Sequence, residues 1–150
     1  MHMEKTHGVD LLAGEAFGCL GFDVRRVRPR TRNGHCILLT PQKKARLTIK
    51  ARIRDLLRPG GATPLKELIA QGTVVLAGWV PYCRVGNASR AFSEIRDDVE
   101  MKVRTLLTRR KRRHKRSVGW RWWSNEYLYG VLGLFWHWKR RPREGAEAYQ

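Results

Sequence analysis

Apolar positions along this chain change their period near residue 42. Before that point Leu20, Phe22 and Val24 alternate with Gly21, Asp23 and Arg25, the period of a half-buried strand. Cys36-Ile37-Leu38-Leu39 reads as the return strand, and Asn33-Gly34 marks a tight turn because both residues tolerate positive φ. A shorter strand is predicted around Gly8–Leu12, with Ala13-Gly14-Glu15 as the turn after it, and Pro41 ends the β region.

Beyond residue 42 the period becomes helical. Ile49, Ile53, Leu56 and Leu57 share one face over 43–58, and Pro59-Gly60-Gly61 stops that helix. Thr63-Pro64 predicts an N-cap followed by a first-turn proline, opening a short helix to Gln71 with Gly72 as the C′ residue. A further short helix is predicted over Val74–Arg84, kinked at Pro81, with Gly86-Asn87 as a turn. From Ser89 to about Arg113 the residues Phe92, Ile95, Val99, Val103 and Leu106 repeat at helical spacing. Acids fill the first half of this segment and bases the second, as the helix dipole favours.

The pattern as a whole predicts an α+β fold. A β-hairpin element occupies 1–41, and a bundle of three or four helices occupies 42–116. Residues 117–150 form a Trp-rich basic extension, polar and frayed from Pro142. Its apolar run from Tyr127 to Trp138 is shorter than the roughly 20 residues a bilayer span needs, so no membrane partner is expected.

Composition narrows the function. The 150 residues are 42% hydrophobic, enough for a core, yet carry a formal net charge of +18. Such an excess repels itself and favours polyanions. Cys19, Cys36 and Cys83 are odd in number and form no C-x-x-C pair, which argues against a zinc site or a disulfide framework and for reduced thiols. The first residues carry no apolar core of an export signal. There is no Ser/His/Asp arrangement or phosphate-cradling glycine loop, and His137 stands among aromatics with no partner for catalysis.

Positive charge concentrates in Arg109-Arg110-Lys111-Arg112-Arg113-His114-Lys115-Arg116, a run that needs an extended anion against it. Arg109, Arg110, Arg112, Arg113, Lys115 and Arg116 are therefore candidate RNA contacts. Trp122 and Trp123 just beyond are candidate stacking platforms, although consecutive Trp residues cannot all face one core or one ligand. Lys43, Lys50 and Arg54 form a second, weaker stripe beside the apolar face of the first helix, with Lys44 adjacent. Trp79 reads as core, being at helical spacing with Tyr82 and close to Leu76.

Several segments resemble group II intron reverse transcriptases. Phe17-Gly18-Cys19-Leu20-Gly21-Phe22 is similar to the family's F-x-x-L-G-F strand after the palm. Leu39-Thr40-Pro41-Gln42-Lys43-Lys44-Ala45 is similar to the start of the thumb, or maturase-specific, domain. The block from Leu76 to Phe92 resembles the signature L-R-G-W-x-N-Y-[YF]-R-x-G-x-[SA]-x-x-x-F, and the segments at 120–124 and 128–134 resemble the family's C-terminal end. The signature's leading N-P-x-L-R-G-W reads Thr73-Val74-Val75-Leu76-Ala77-Gly78-Trp79 here, and the Asn of W-x-N-Y is Pro81.

The resemblance implies a thumb-like maturase domain that binds group II intron RNA and assists its folding and splicing, and that clamps template and primer in an intact enzyme. It makes Arg84 and Arg90, which flank the Gly86-Asn87 turn, further RNA contacts. Fingers, palm and the Y-x-D-D turn that holds two Mg ions are not in this sequence, so it implies no polymerase activity and no cofactor for this chain on its own. Asp97-Asp98 falls within an amphipathic helix, where neighbouring carboxylates diverge by about 100°. A separate fingers–palm chain is a conceivable partner, and the compartment is expected to be the bacterial cytoplasm or an organelle. Two other readings fit the same residues: a basic structural protein of a ribonucleoprotein, and a non-functional truncated gene fragment.

Overall fold

Leu20 and Gly21 hold positive φ, 50° and 81°, and split the alternating N-terminal run into two strands. In the computed structural model, which describes residues 15–30, 33–58, 63–111 and 122–138, β1 (Ala16–Cys19) and β2 (Phe22–Val27) pair antiparallel across this loop. Two-residue hairpin loops take left-handed backbone because it matches the twist of the strands. The expected single strand through Leu20 is thereby corrected. Leu20 is 82% exposed at the hairpin tip, and Phe22 and Val24 alone keep the inward face. β3 (Cys36–Pro41) pairs with the other edge of β2, giving the order β1-β2-β3. Asn33-Gly34 lies within a longer connection between Val27 and Cys36 and is not a two-residue hairpin loop. The strand predicted at Gly8–Leu12 lies outside the described residues.

Three helices follow. α1 (Lys43–Leu56) buries Ile49 and Ile53, and Leu57 is buried just past its end. α2 (Leu65–Cys83) is one helix where two were expected. Its face of Leu68, Ile69, Leu76, Val80 and Cys83 runs unbroken through Gly72. A glycine inside a helix costs about 1 kcal/mol, while each large apolar side chain on the buried face returns about 1.5–3 kcal/mol. Gly72 therefore stays helical, against Ile53 of α1, and does not act as a C′ residue. Pro64 and not Thr63 is the N-cap, with no side-chain capping bond. Pro81 falls in the last turn, two residues before the helix ends, so the i−4 bond that it removes is one of the last in the helix.

α3 (Ser89–Arg110) contributes more buried residues to the core than either other helix. All five residues of its predicted stripe, Phe92, Ile95, Val99, Val103 and Leu106, are buried. It stops at Arg110, short of the expected Arg113. Residues 122–138, hereafter the tail, then return to the core. Ser124 Oγ accepts from the Tyr127 N–H at 3.3 Å and opens one π-helical turn over Tyr127–Val131. Gly133, at φ 70°, reverses the chain and delivers Leu134, Phe135 and Trp138 into the same core as α3. Phe135 and Trp138 pack against the helices, with the Trp138 ring 6.5 Å from Phe92, whereas Trp136 between them is exposed.

The sheet docks through the loop after α2. Tyr82 Oη donates to the Leu20 carbonyl at 2.7 Å, and its ring lies 5.5 Å from Phe22. The Asn87 N–H donates to the Leu39 carbonyl at 2.5 Å. Gly86 sits so close to that carbonyl that any Cβ would collide with it. No helix among the described residues is long and apolar enough to cross a membrane.

Candidate nucleic-acid interface

Some cations of α1 are already occupied and others are not. Lys50 Nζ and Arg46 Nη1 both reach across to Glu94 of α3, at 2.6 and 2.5 Å. Hydrogen bonding from Lys50, and then from Arg46, holds the Glu94 carboxyl below the ordinary carboxylate range. Lys43 and Lys44 are exposed, and among the described residues no carboxylate lies within ion-pair distance of either. Arg54 faces its neighbour Asp55 at 3.7 Å with both side chains mostly in water, a contact worth little. The structure thus puts Lys43, Lys50 and Arg54 on one side of α1, as the spacing predicted, but leaves Lys50 tied.

The other candidates scatter. Arg84 donates through Nη2 to the His137 carbonyl, and its Nε is buried without a hydrogen-bond partner. It thereby fastens the tail to the end of α2. Arg90 and Arg109 are exposed. Arg110 Nη2 donates to the Thr63 carbonyl at 2.6 Å and fastens the end of α3 to the start of α2. Arg112, Arg113, Lys115 and Arg116 lie outside the described residues. Trp122 is 58% exposed, whereas Trp123 is buried. The Trp123 ring packs 5.0 Å from Tyr127 and is covered by the Lys111 ammonium at 4.6 Å. Trp123 is therefore a core side chain, and its expected role as a stacking platform is corrected.

Behind Trp123 lies a buried polar network that the sequence reading missed. Arg104, 3% exposed, donates to the Trp123 carbonyl at 3.0 Å, to Glu100 at 3.2 Å and to Asn125. Tyr129 Oη donates to the second oxygen of Glu100, and burial together with that carboxylate holds the phenol proton far above the usual range. The i,i+4 spacing of Glu100 and Arg104 was the available signal, on a face that otherwise reads as apolar.

Arg52 was also missed. Lys44, Thr48 and Arg52 follow one another at i, i+4 and i+8 along α1. With Gly21, Gln42, Ala45, Ile49 and Trp79 they line an open hollow of about 390 Å³ where the hairpin, α1 and α2 meet. None of its lining residues is acidic. A second hollow of about 560 Å³ lies between α3 and the tail and includes Asp97 and Glu100 beside Arg96, Trp136 and Trp138.

Carboxylates elsewhere are committed to neighbours: Asp97 lies 3.5 Å from Arg96, and Asp98 pairs with Lys102. Among the described residues no three His, Cys, Asp or Glu side chains are grouped as a metal would require. Burial pushes the Cys83 thiol up to about 11, which keeps it protonated and unreactive at neutral pH.

The family model of the group II intron maturase-specific domain matches residues 46–128, more than half of the chain. No curated protein and no solved structure matches it. The matched span takes in most of α1, the whole of α2 and α3, and the tail as far as Leu128, whose side chain is fully buried in the common core. The resemblance carried by the signature block and this match along the helical bundle agree: the chain belongs to the group II intron maturase-specific domain family.

Proposed function

We propose that this domain binds structured group II intron RNA and assists its folding for splicing by neutralising phosphates where RNA helices approach one another. The observation that supports this reading most is the charge of α1. Its 14 residues hold six Lys or Arg against one Asp, and Lys43 and Lys44 face solvent with no acid beside them among the described residues. A phosphate backbone supplies the missing anions and releases its own counterions in exchange. Arg90, Arg109 and the basic run 109–116 extend the same chemistry. The catalytic work of splicing belongs to the RNA in this reading. In an intact reverse transcriptase the same domain would hold template and primer, with two Mg ions bound elsewhere by the palm. The chain alone is not expected to extend a primer on RNA in the presence of deoxynucleotides and magnesium.

Salt dependence tests the electrostatic core of the proposal. Binding of the full chain to an intron RNA should weaken steeply as salt rises. In the double variant Lys43→Gln, Arg54→Gln the slope of log K against log salt should flatten by roughly 0.7–0.9 for each lost contact. Affinity should fall alike for an unrelated hairpin, since phosphate contacts position without reading sequence. An unchanged slope would move the RNA off this side of α1, with the run 109–116 as the next place to look.

A further inference from the structure

We propose that the hollow between the hairpin, α1 and α2 receives one unpaired nucleotide of the bound RNA, an assignment that rests on the RNA-binding reading above. At about 390 Å³ the space lies in the range of small-ligand sites. Trp79, half-buried, forms part of its wall. The indole is braced at 75° to the Phe92 ring with centroids 5.9 Å apart, so it is held in place before any ligand arrives. An aromatic ring fixed in this way is the surface on which a base stacks, whatever its identity.

The remaining wall suits the rest of a nucleotide. Lys44 and Arg52 stand two turns apart on α1, a rise of about 12 Å, so they can reach the phosphates on either side of a base seated between them. Thr48 lies midway along the same row. Its hydroxyl proton goes to the Lys44 carbonyl at 2.9 Å, which leaves oxygen lone pairs to accept from a base edge or a 2′-hydroxyl. Gln42 closes the end near the strands. Its side chain lies over Gly18, where a Cβ would clash with it, and donates to the Phe22 carbonyl at 3.4 Å.

Electrostatics separates this hollow from the larger one. The 560 Å³ space beside the tail also has aromatic walls, but its two acids, Asp97 and Glu100, outnumber its one base, Arg96. The smaller hollow carries two cations and, among the described residues, no acid. Its preference for unpaired RNA follows from shape. A base in a duplex would first have to be unpaired and unstacked, at a cost of a few kcal/mol, whereas a bulged or single-stranded base can enter directly.

The test uses the full chain with two labelled probes, a short oligouridylate and a fully paired RNA hairpin. Lys44→Gln with Arg52→Gln should weaken both probes through lost phosphate contacts, and should cost oligouridylate about tenfold more than the hairpin. Trp79→Leu should lower oligouridylate affinity by a similar factor, and Trp79→Phe should recover most of that loss. Circular dichroism melts show which variants are folded, and the Lys44/Arg52 pair decides alone if Trp79→Leu does not fold. Equal losses on both probes would overturn the pocket while leaving RNA binding intact. So would hairpin binding by the wild-type chain without oligouridylate binding. Failure of the wild-type chain to bind either RNA would remove the RNA-binding reading itself, and the pocket with it.

Discussion

The outward side of α1 and the seam between α3 and the tail are both rich in basic side chains, and they use them in opposite ways. On α1, Lys43 and Lys44 stand in water with no acid beside them among the described residues. In the seam, Arg104 is spent on Glu100, Asn125 and a backbone carbonyl, and Arg84 on another carbonyl. The difference lies in what surrounds each cation. A guanidinium carries five donors in a fixed fork, so one buried Arg can tie several oxygens of an irregular segment that has no ladder of its own. Arg84, Arg104 and Arg110 are bolts of this kind. The formal charge of +18 is therefore unevenly available to a polyanion, and burial and local pairing decide which cations can touch it.

The widest separation between the two regions should come from Arg104→Met. It leaves the buried Glu100 with only the Tyr129 hydroxyl and a distant Arg96 at 3.9 Å, and losing one partner costs about 3–5 kcal/mol in other buried pairs, an upper bound here. Urea denaturation should show that loss, while the salt slope of RNA binding stays at its wild-type value in the folded protein. A wild-type midpoint would erase the distinction. Lys43→Gln with Arg54→Gln should do the reverse, holding the midpoint within about 0.5 kcal/mol while changing the salt slope.

Glu94 sits on the border and gives the smallest, most discriminating effect. Glu94→Gln releases Lys50 and Arg46 for phosphate, so the salt slope should steepen by as much as ~0.7–0.9 for each cation engaged. The carboxyl is depressed by its partners in the folded state. Its contribution to stability is then complete above the ordinary carboxylate pKa and is lost as pH falls through the lowered folded value. The gap between wild-type and Glu94→Gln urea midpoints should be small at neutral pH, because 41% of the carboxylate side chain is exposed, and should close in acid. A gap that is independent of pH would mean that the Glu94 pairs do not stabilise the fold through charge.

Periodicity made α1 and α3 legible, since each buries the stripe that its spacing picks out. It failed at Gly72, because a glycine that ends a helix and one that lies inside a helix look the same until the partner, here Ile53, is known. Leu20 failed for a related reason: alternation continues through a two-residue hairpin tip, and the sign of φ is not written in hydrophobicity. Family resemblance located the signature block but not its work. Tyr82, Arg84 and Gly86 join the hairpin tip, the tail and β3 at one place, through contacts with residues tens of positions away. The hollow at Trp79 was beyond reach for the same reason, as three elements build it.

The tail also sets an order in time. Glu100 and Arg104 leave the ribosome together and can pair as α3 coils, but Trp123 and Asn125 follow Arg104 by 19 and 21 residues. Arg84 waits 53 residues for His137, and Thr73 waits 60 for Gly133. At about 5–20 residues per second, these waits last seconds. A growing chain thus holds three helices with one flank of α3 wet before its last segment latches over it. Limited proteolysis of stalled chains should find α3 open to cleavage until Trp138 has emerged, and closed afterwards.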